Sequence, residues 1–349
     1  MIELDGNYLE GGGSIVRVAL ALSTYTQKPF KVSNIRANRS EPGLKAQHLT
    51  AIKALKEISN AKYGPIALGD TELEFYPGKI KKGNYLIEIG TAGSISLLSQ
   101  ALILPCLFAP GKITLRITGG TCGRGQAPID YLQNVFLPQL KKLVNKIELK
   151  IIKRGYYPQG GGEIILEIHP KKEVTIPRIN LTEMGELEQI KGVVNYSLEL
   201  APNQVAERTA QTIRSELKKL NCPLDIQTEY SPSLSLGGEA VLWAKFSQNG
   251  KVDYNNPLIL GADCLAEKGK KAEEVGAEAS QKLIKIINQK EGIDPYLADQ
   301  ILMFMAILPG SKIRCTEITP HCLTNIYVIE KFLNVKFIIS NNEITVLER

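Results

Sequence analysis

GTAGSISLLSQALILPCLFAPGKITLRIT, residues 90–118, carries the pattern from which the fold is read. The turn Gly90-Thr91-Ala92-Gly93 opens into an almost wholly apolar run over 94–108. That run is too long for a strand and, broken by Gln100 and prolines, falls short of a ~20-residue membrane span; it reads as a buried helix. Past Pro110 and Gly111 the period changes to two over 112–118, which marks a strand. A second helix over 129–143 follows, and then paired strands over 147–153 and 162–169, split by the turn Tyr157-Pro158-Gln159-Gly160.

The same order recurs on either side. Upstream, Gly11-Gly12-Gly13 opens a helix over 14–23, followed by a strand over 30–35 and a helix over 44–58. Downstream come a helix over 296–308, a strand over 312–318, a helix over 321–333 and paired strands over 335–339 and 343–347 around Asn341-Asn342. We read an α/β (α+β) protein whose large domain, residues 1–181 and 291–349, holds three βαβα-ββ units, each burying one sheet face under two helices. Residues 182–290 break the repeat with a strand over 192–200, a helix over 206–220, strands over 224–229 and 239–246, and a helix over 272–288. They read as a smaller inserted α/β domain.

Composition narrows the class. A chain of 349 residues suits about two domains, and 44% hydrophobic with 22% charged residues excludes disorder. The net charge of +6 allows an anionic substrate such as RNA or a nucleotide without requiring one. Glu3 and Asp5 stand where a signal peptide would be basic, and the six cysteines form no C-x-x-C or zinc spacing; a reducing cytoplasm is expected.

Three histidines are present, so each can be weighed. His48 belongs to the helical stripe Leu44, His48, Ala51, Leu55, Ile58 and reads as a hydrogen-bonded histidine at the core edge. His169 follows the polar side of an alternating strand. His321 differs. Thr319-Pro320 looks like a helix start, with the apolar stripe Cys322, Ile326, Ile329, Leu333 and His321 off it, beside Thr324 and Asn325. A helix N-terminus binds phosphate and favours a neutral imidazole, so His321 is a candidate nucleophile. Glu10, Arg17, Arg36 and Arg39 lie near element ends, with Gln47 close behind, and arginine suits phosphate.

Leu9-Glu10-Gly11-Gly12-Gly13-Ser14-Ile15-Val16-Arg17, Ile35-Arg36-Ala37-Asn38-Arg39, Pro42-Gly43-Leu44 with Gln47-His48-Leu49, and Gly90 to Ser94 leading to Gln100 resemble the RNA 3′-terminal phosphate cyclase family. So do Tyr157 to Gly162, Tyr296-Leu297-Ala298-Asp299-Gln300 and His321-Cys322-Leu323-Thr324-Asn325, in the family's order over nearly the whole chain. The resemblance implies a large domain like an initiation-factor C-terminal domain, with an insertion. It also implies ATP-dependent conversion of an RNA 3′-phosphate into a 2′,3′-cyclic phosphodiester, with AMP and pyrophosphate released. On this resemblance His321 is the nucleophile and Arg17, Arg36 and Arg39 are catalytic. Gln100, Pro128, Tyr296, Leu297, Ala298, Asp299 and Gln300 would contact ATP, and Arg36, Arg39 and Gln47 the RNA phosphate. Glu10 and Asp299 are candidate carboxylates for a divalent cation, Mg²⁺ or Mn²⁺. The expected partner is RNA with a 3′-terminal phosphate, with no membrane; a homodimer is left open. Two alternatives are a non-catalytic relative serving ribosome biogenesis and an enolpyruvyl transferase, neither of which needs His321 in its helix start.

Overall fold

Alternation makes the strands: in Ile113–Gly119 the side chains of Ile113, Leu115 and Ile117 are fully buried while Arg116 faces solvent. The computed structural model describes residues 1–171, 176–248 and 250–348; positions 172–175, 249 and 349 of the expected domain ranges lie outside them. The first sheet takes β1 (Ile2–Asp5), β2 (Phe30–Ser33), β3 (Lys62–Tyr63) and β4 (Leu73–Tyr76) in the order β1-β2-β4-β3. The second takes β5 (Gly83–Glu88), β6 (Ile113–Gly119), β7 (Val144–Lys153) and β8 (Gly162–Pro170) in the order β5-β6-β8-β7. After β9 (Asn180–Leu181), the strands β10 (Glu186–Ser197), β11 (Leu224–Ser231), β12 (Gly238–Ser247) and β13 (Ile259–Leu265) form a sheet of their own, β11-β10-β12-β13. The remaining sheet joins β9 to β14 (Lys312–Arg314), β15 (Val335–Ser340) and β16 (Glu343–Glu348) in the order β15-β16-β14-β9.

Three sheets therefore share one arrangement: a parallel pair (β1 with β2, β5 with β6, β9 with β14) continued by antiparallel strands. A parallel pair needs a crossover, and the helices supply it. They are α1 (Ser14–Thr26), α2 (Ala46–Ser59), α3 (Ile95–Leu107), α4 (Ile129–Tyr131), α5 (Leu137–Leu140), α6 (Val205–Leu217), α7 (Ala272–Gln289), α8 (Pro295–Ala306) and α9 (Pro320–Phe332). The helix expected over 129–143 is one helical run with a π-turn at Leu132–Phe136 and a 3-10 turn at Lys141–Leu143. The strand expected over 192–200 starts six residues earlier and ends at Ser197, where Leu198–Asn203 turns into 3-10 helix. Among the described residues no helix is long and apolar enough to cross a membrane.

The helix leading into the second strand of the parallel pair in each of these three sheets is central. α3 is buried along almost its whole length, as are α1 and α8. α1 packs on α3 and α9, and α8 packs on α9 and α3. Such helices are apolar all round because neighbours cover every face.

Two polar seams fasten the β10–β13 sheet to this body. Asp294 caps α8, accepting from the backbone N–H of Tyr296 and Leu297, and also accepts from the Tyr131 hydroxyl at 2.6 Å and the Gly261 N–H at 2.9 Å. Burial pushes its carboxyl upward, and those four donors hold it back. In the second seam the buried Arg154 is paired with Asp130, and reaches Glu239 of β12 at 3.1 Å and Glu229 of β11 at 3.2 Å. Burial lifts Glu239 to about 7, with Arg154 opposing and Asp130 adding to the rise.

Replacing Asp294 tests the first seam. Asp294→Ala leaves two buried donors without acceptors, at ~1–3 kcal/mol each, and removes a helix cap worth ~1 kcal/mol, so a loss of about 3–7 kcal/mol in urea unfolding is expected. Asp294→Asn keeps one acceptor oxygen and should lose less. Equal stability of Asp294→Ala and the parent would show that the seam holds nothing.

Candidate active site

The central helices bring their N-terminal turns together, and polar side chains stand there. Arg17 of α1 is 8% exposed and donates from Nε to Gln100 Oε1 of α3 at 3.0 Å. Asp299 of α8 lies within its electrostatic reach without forming an ion pair. Burial lowers Arg17 to about 10, Asp299 works against that shift, and Arg36 adds to it. Burial raises Asp299 to about 7, with Arg17 pulling it down and Asp294 pushing it up.

α9 presents His321. Thr319 caps the helix, its hydroxyl accepting from the Cys322 N–H at 3.2 Å, with Pro320 at the first helical position as the sequence implies. The imidazole is 45% exposed, open enough to meet a substrate. Its pKa lies below the ordinary value, first through burial and then through Arg17 and Arg39. Glu10 Oε2 stands 3.7 Å from Nδ1 and would by itself raise that pKa; Glu10 is ion-paired with Arg39, and the net shift is downward. The expected helix stripe needs correction. Cys322, Thr324, Asn325, Val328, Ile329 and Phe332 face inward, whereas Ile326 and Leu333 are only half-buried. Thr324 and Asn325 are buried because they bind: the Thr324 hydroxyl accepts from the Glu10 N–H, and Asn325 donates to the Asp299 carbonyl at 3.0 Å.

The glycines of Gly11-Gly12-Gly13 have a local reason. A Cβ on Gly12 would lie 2.0 Å from Glu10 Oε1, and one on Gly13 would lie 2.4 Å from His48 Nε2 and 2.9 Å from Arg17 Nη1. The turn thus makes room for the site's own side chains. His48 is buried as expected; its Nδ1 accepts from the Lys45 N–H at 3.0 Å, which leaves the proton on Nε2, where no partner is present. Burial and then Arg17, Arg36 and Lys45 push His48 down to about 3, so it stays neutral.

Arg36 stands at φ 56°, in the left-handed region, and its buried Nε has no hydrogen-bond partner among the described residues. Among the described residues neither Arg17 nor Arg36 is ion-paired with a carboxylate, while Arg39 has Glu10. Gln47 lies against Gly93, whose Cβ would be 3.3 Å from its Oε1.

The stretch Tyr296 to Gln300 divides. Tyr296 is 39% exposed and meets Tyr131 edge-on, whereas Leu297 and Ala298 are fully buried core, so their side chains are closed to any nucleotide. Gln300 is nearly buried, and Pro128 is buried at the start of α4. Of the other histidines, His169 pairs with Glu167 at 2.9 Å, and all six cysteines are free thiols. Sequence reading missed Asp294, Asp130 and Arg154. Asp294 directly before Pro295 was a readable cap signal; Arg154 carried none.

No group of three or more His, Cys, Asp or Glu side chains suited to a metal occurs among the described residues. Glu10 is the carboxylate beside His321, and Asp299 is set towards Arg17. One carboxylate suits Mg²⁺, which is commonly held by one or two carboxylates plus substrate phosphates, and does not make a protein cage.

Residues 8–339 match the model of the family described as RNA 3′-terminal phosphate cyclase. The chain belongs to this family. It is 42% identical over 337 residues to the RNA 3′-terminal phosphate cyclase of Pyrococcus furiosus, covering 97% of this chain and 94% of that one. The Archaeoglobus fulgidus protein of the same name is 41% identical over 342 residues, covering 97% and 98%. That of Methanopyrus kandleri is 39% identical over 350 residues, covering 98% and 96%.

Gly13 offers a clean test of the packed site, because its φ of −75° suits any residue. Gly13→Ala should therefore act through collision with His48 and Arg17, costing ~1–3 kcal/mol of stability. Activity should fall at least tenfold at a temperature where the variant remains folded. Unchanged activity would mean that these two side chains need not stay where they are.

Proposed function

We propose that the protein uses ATP to convert an RNA 3′-terminal phosphate into a 2′,3′-cyclic phosphodiester, through a His321–AMP and an RNA–adenylate. The observation that carries this reading is a half-exposed imidazole of lowered pKa in the field of the buried Arg17, with the half-buried Arg36 near that arginine and neither of the two ion-paired with a carboxylate among the described residues. Uncompensated buried cations are costly unless an anion arrives, and a triphosphate or RNA phosphate is such an anion. The names of the relatives support the same substrate class.

Nδ1 of His321 faces Glu10, so Nε2 is the nitrogen left for attack. In the first step the Nε2 lone pair bonds to the α-phosphorus, the bond to the bridging oxygen breaks, and pyrophosphate leaves. Arg17, Arg36 and the N–H groups at the α1 and α9 N-termini are placed to balance charge growing on phosphoryl oxygens. A divalent cation held by Glu10 and the phosphates would neutralise further charge. The RNA 3′-phosphate then displaces histidine from the adenylyl phosphorus. Last, the vicinal 2′-OH attacks the activated 3′-phosphorus and AMP departs; the two groups share one ribose, so orientation supplies most of the advantage. Gln100, Tyr296, Asp299 and Gln300 are the side chains of the expected ATP set left to contact nucleotide, and Arg36, Arg39 and Gln47 remain for the RNA phosphate.

Two measurements test the reading. His321→Ala should abolish transfer of label from α-labelled ATP to the protein. In the parent, transfer should persist below pH 6.5, since a lowered pKa keeps the imidazole neutral there. Arg39→Ala, which removes a cation and frees the charge of Glu10, should move that acid limb upward. Normal labelling of His321→Ala would sink the assignment. Separately, an RNA whose terminal 3′-phosphate sits on a 2′-deoxyribose should stall as RNA–adenylate, with AMP release absent. Ordinary turnover on it would point to a general adenylyltransferase.

A further inference from the structure

The β10–β13 sheet is covered by α6 and α7 on one face only. Part of its other face opens on a cavity of about 980 Å³, walled opposite by α5 and β7, which the reaction above does not use. Lys191 and Lys245 rise from the sheet, with Trp243 directly opposite Lys191 in register and two residues from Lys245 along β12, and Lys141 and Lys153 come from the opposite wall. Acidic residues line it too, but Asp225 is paired with Lys191 at 3.1 Å, and Asp130 and Glu229 are paired with Arg154. Lys141, Lys153 and Lys245 have no carboxylate partner among the described residues. The Lys245 ammonium lies in the field of Lys191 and Lys141: its pKa is lowered by burial first, then by those two. An anion would relieve that repulsion. Tyr254, 84% exposed, and Ile152, 46% exposed, add flat apolar surface among the charges, as suits bases between phosphates.

The cavity also connects with the site. Ser231 and Pro232 at its edge lead into a loop whose Ser235 hydroxyl accepts from the Gln159 N–H at 3.1 Å, and whose Leu234 packs against Gly161. Gly160 lies against Thr91, and Gly93, two residues on, against Gln47. Along this line Tyr157, Leu234 and Leu236 are exposed by 80%, 64% and 63%, an apolar track from the phosphate end to the cavity.

We propose that this cleft holds the single strand of substrate RNA upstream of its 3′ end. The inference rests on the function proposed above. Its test uses the full chain carrying Lys141→Ala, Lys153→Ala and Lys245→Ala together, with 3′-phosphate RNAs of two lengths, a trinucleotide and an oligonucleotide of about 20, longer than the ~4–16 nucleotides of one binding fold. Direct binding is titrated against salt. For the long RNA the slope of log K on log salt should shrink by about 2, since each lost phosphate contact removes about 0.7. KM for the long RNA should rise at least tenfold with kcat unchanged, and the trinucleotide should be unaffected. Retained ATP label transfer shows that the variant is folded; if it is lost, Lys153→Ala alone, on an exposed side chain, should still shrink the slope by about 0.7. Long-RNA binding unmoved by the substitutions, or equal change at both lengths, overturns the proposal and leaves the charge to an acidic protein partner. Because binding is read without turnover, the cleft can succeed or fail independently of the cyclisation chemistry.

Discussion

Asp294 is the point on which the arrangement turns. One carboxylate accepts from the backbone at the start of α8, from the Tyr131 hydroxyl in α4 and from the Gly261 N–H in β13. These donors belong to three stretches of chain far apart in sequence, and the carboxylate itself is fully buried. A buried carboxylate is tolerated only when its acceptor capacity is filled, so none of the three can move independently. Gly261 has to be glycine for the same reason: a Cβ there would lie 2.3 Å from the Tyr131 ring. Tyr296, Asp299 and Gln300, the polar residues that α8 gives to the site, begin at the turn that Asp294 caps.

The shared strand order has a geometric result. In each of the three similar sheets the helix leading into the second parallel strand is buried along most of its length, so these helices meet in the middle with few surface residues. Polar side chains within their first two turns are largely withdrawn from water, and several turn towards one another. Arg17, Gln100 and Asp299 do so. The site is therefore built at the ends of rigid, packed helices, where positions are better held than on loops. The second helices contribute from outside, α2 with Gln47 and His48, and α9 with His321.

Periodicity made most long elements legible. The apolar runs over 94–108 and 296–308, and the stripe of α2, need only counting by helical or strand steps. What was lost is short or edge-lying. β1 spans four residues with one buried side chain, β9 spans two, and β5 exposes alternate positions at a sheet edge. Such segments are strands because a partner pairs with them, and the partner is not local in sequence. β13 was hidden for another reason, since Gly261, Asp263 and Cys264 dilute its apolar pattern. At the site, Thr319-Pro320 made the helix start before His321 readable, and family motifs carried the arginines. The inward turn of Thr324 and Asn325 was not readable, because a polar residue is buried only where a partner waits. Leu297 and Ala298 mark the opposite limit: a motif names a segment, and helical geometry then decides which of its side chains face the site.

The burial that made the helices legible also sets the electrostatics. Arg17 is an ionised group in the middle of a packed core, and removing its hydration is the first cause of its lowered pKa. Glu10 could have compensated it and instead pairs with Arg39, at the solvent side, while Asp299 is itself pushed towards neutrality. The positive field left over acts on both imidazoles, and the more buried His48 is shifted further than His321. Two consequences then come from one cause. Charge left unneutralised in the folded protein attracts anions, and burial first and that charge second keep a nearby histidine unprotonated, with its lone pair available. An additional carboxylate beside Arg17 would stabilise the empty protein and weaken both properties at once. Stability lost at this point is carried by the apolar packing of α1, α3 and α8, which is why the cation sits on those helices and not on a loop.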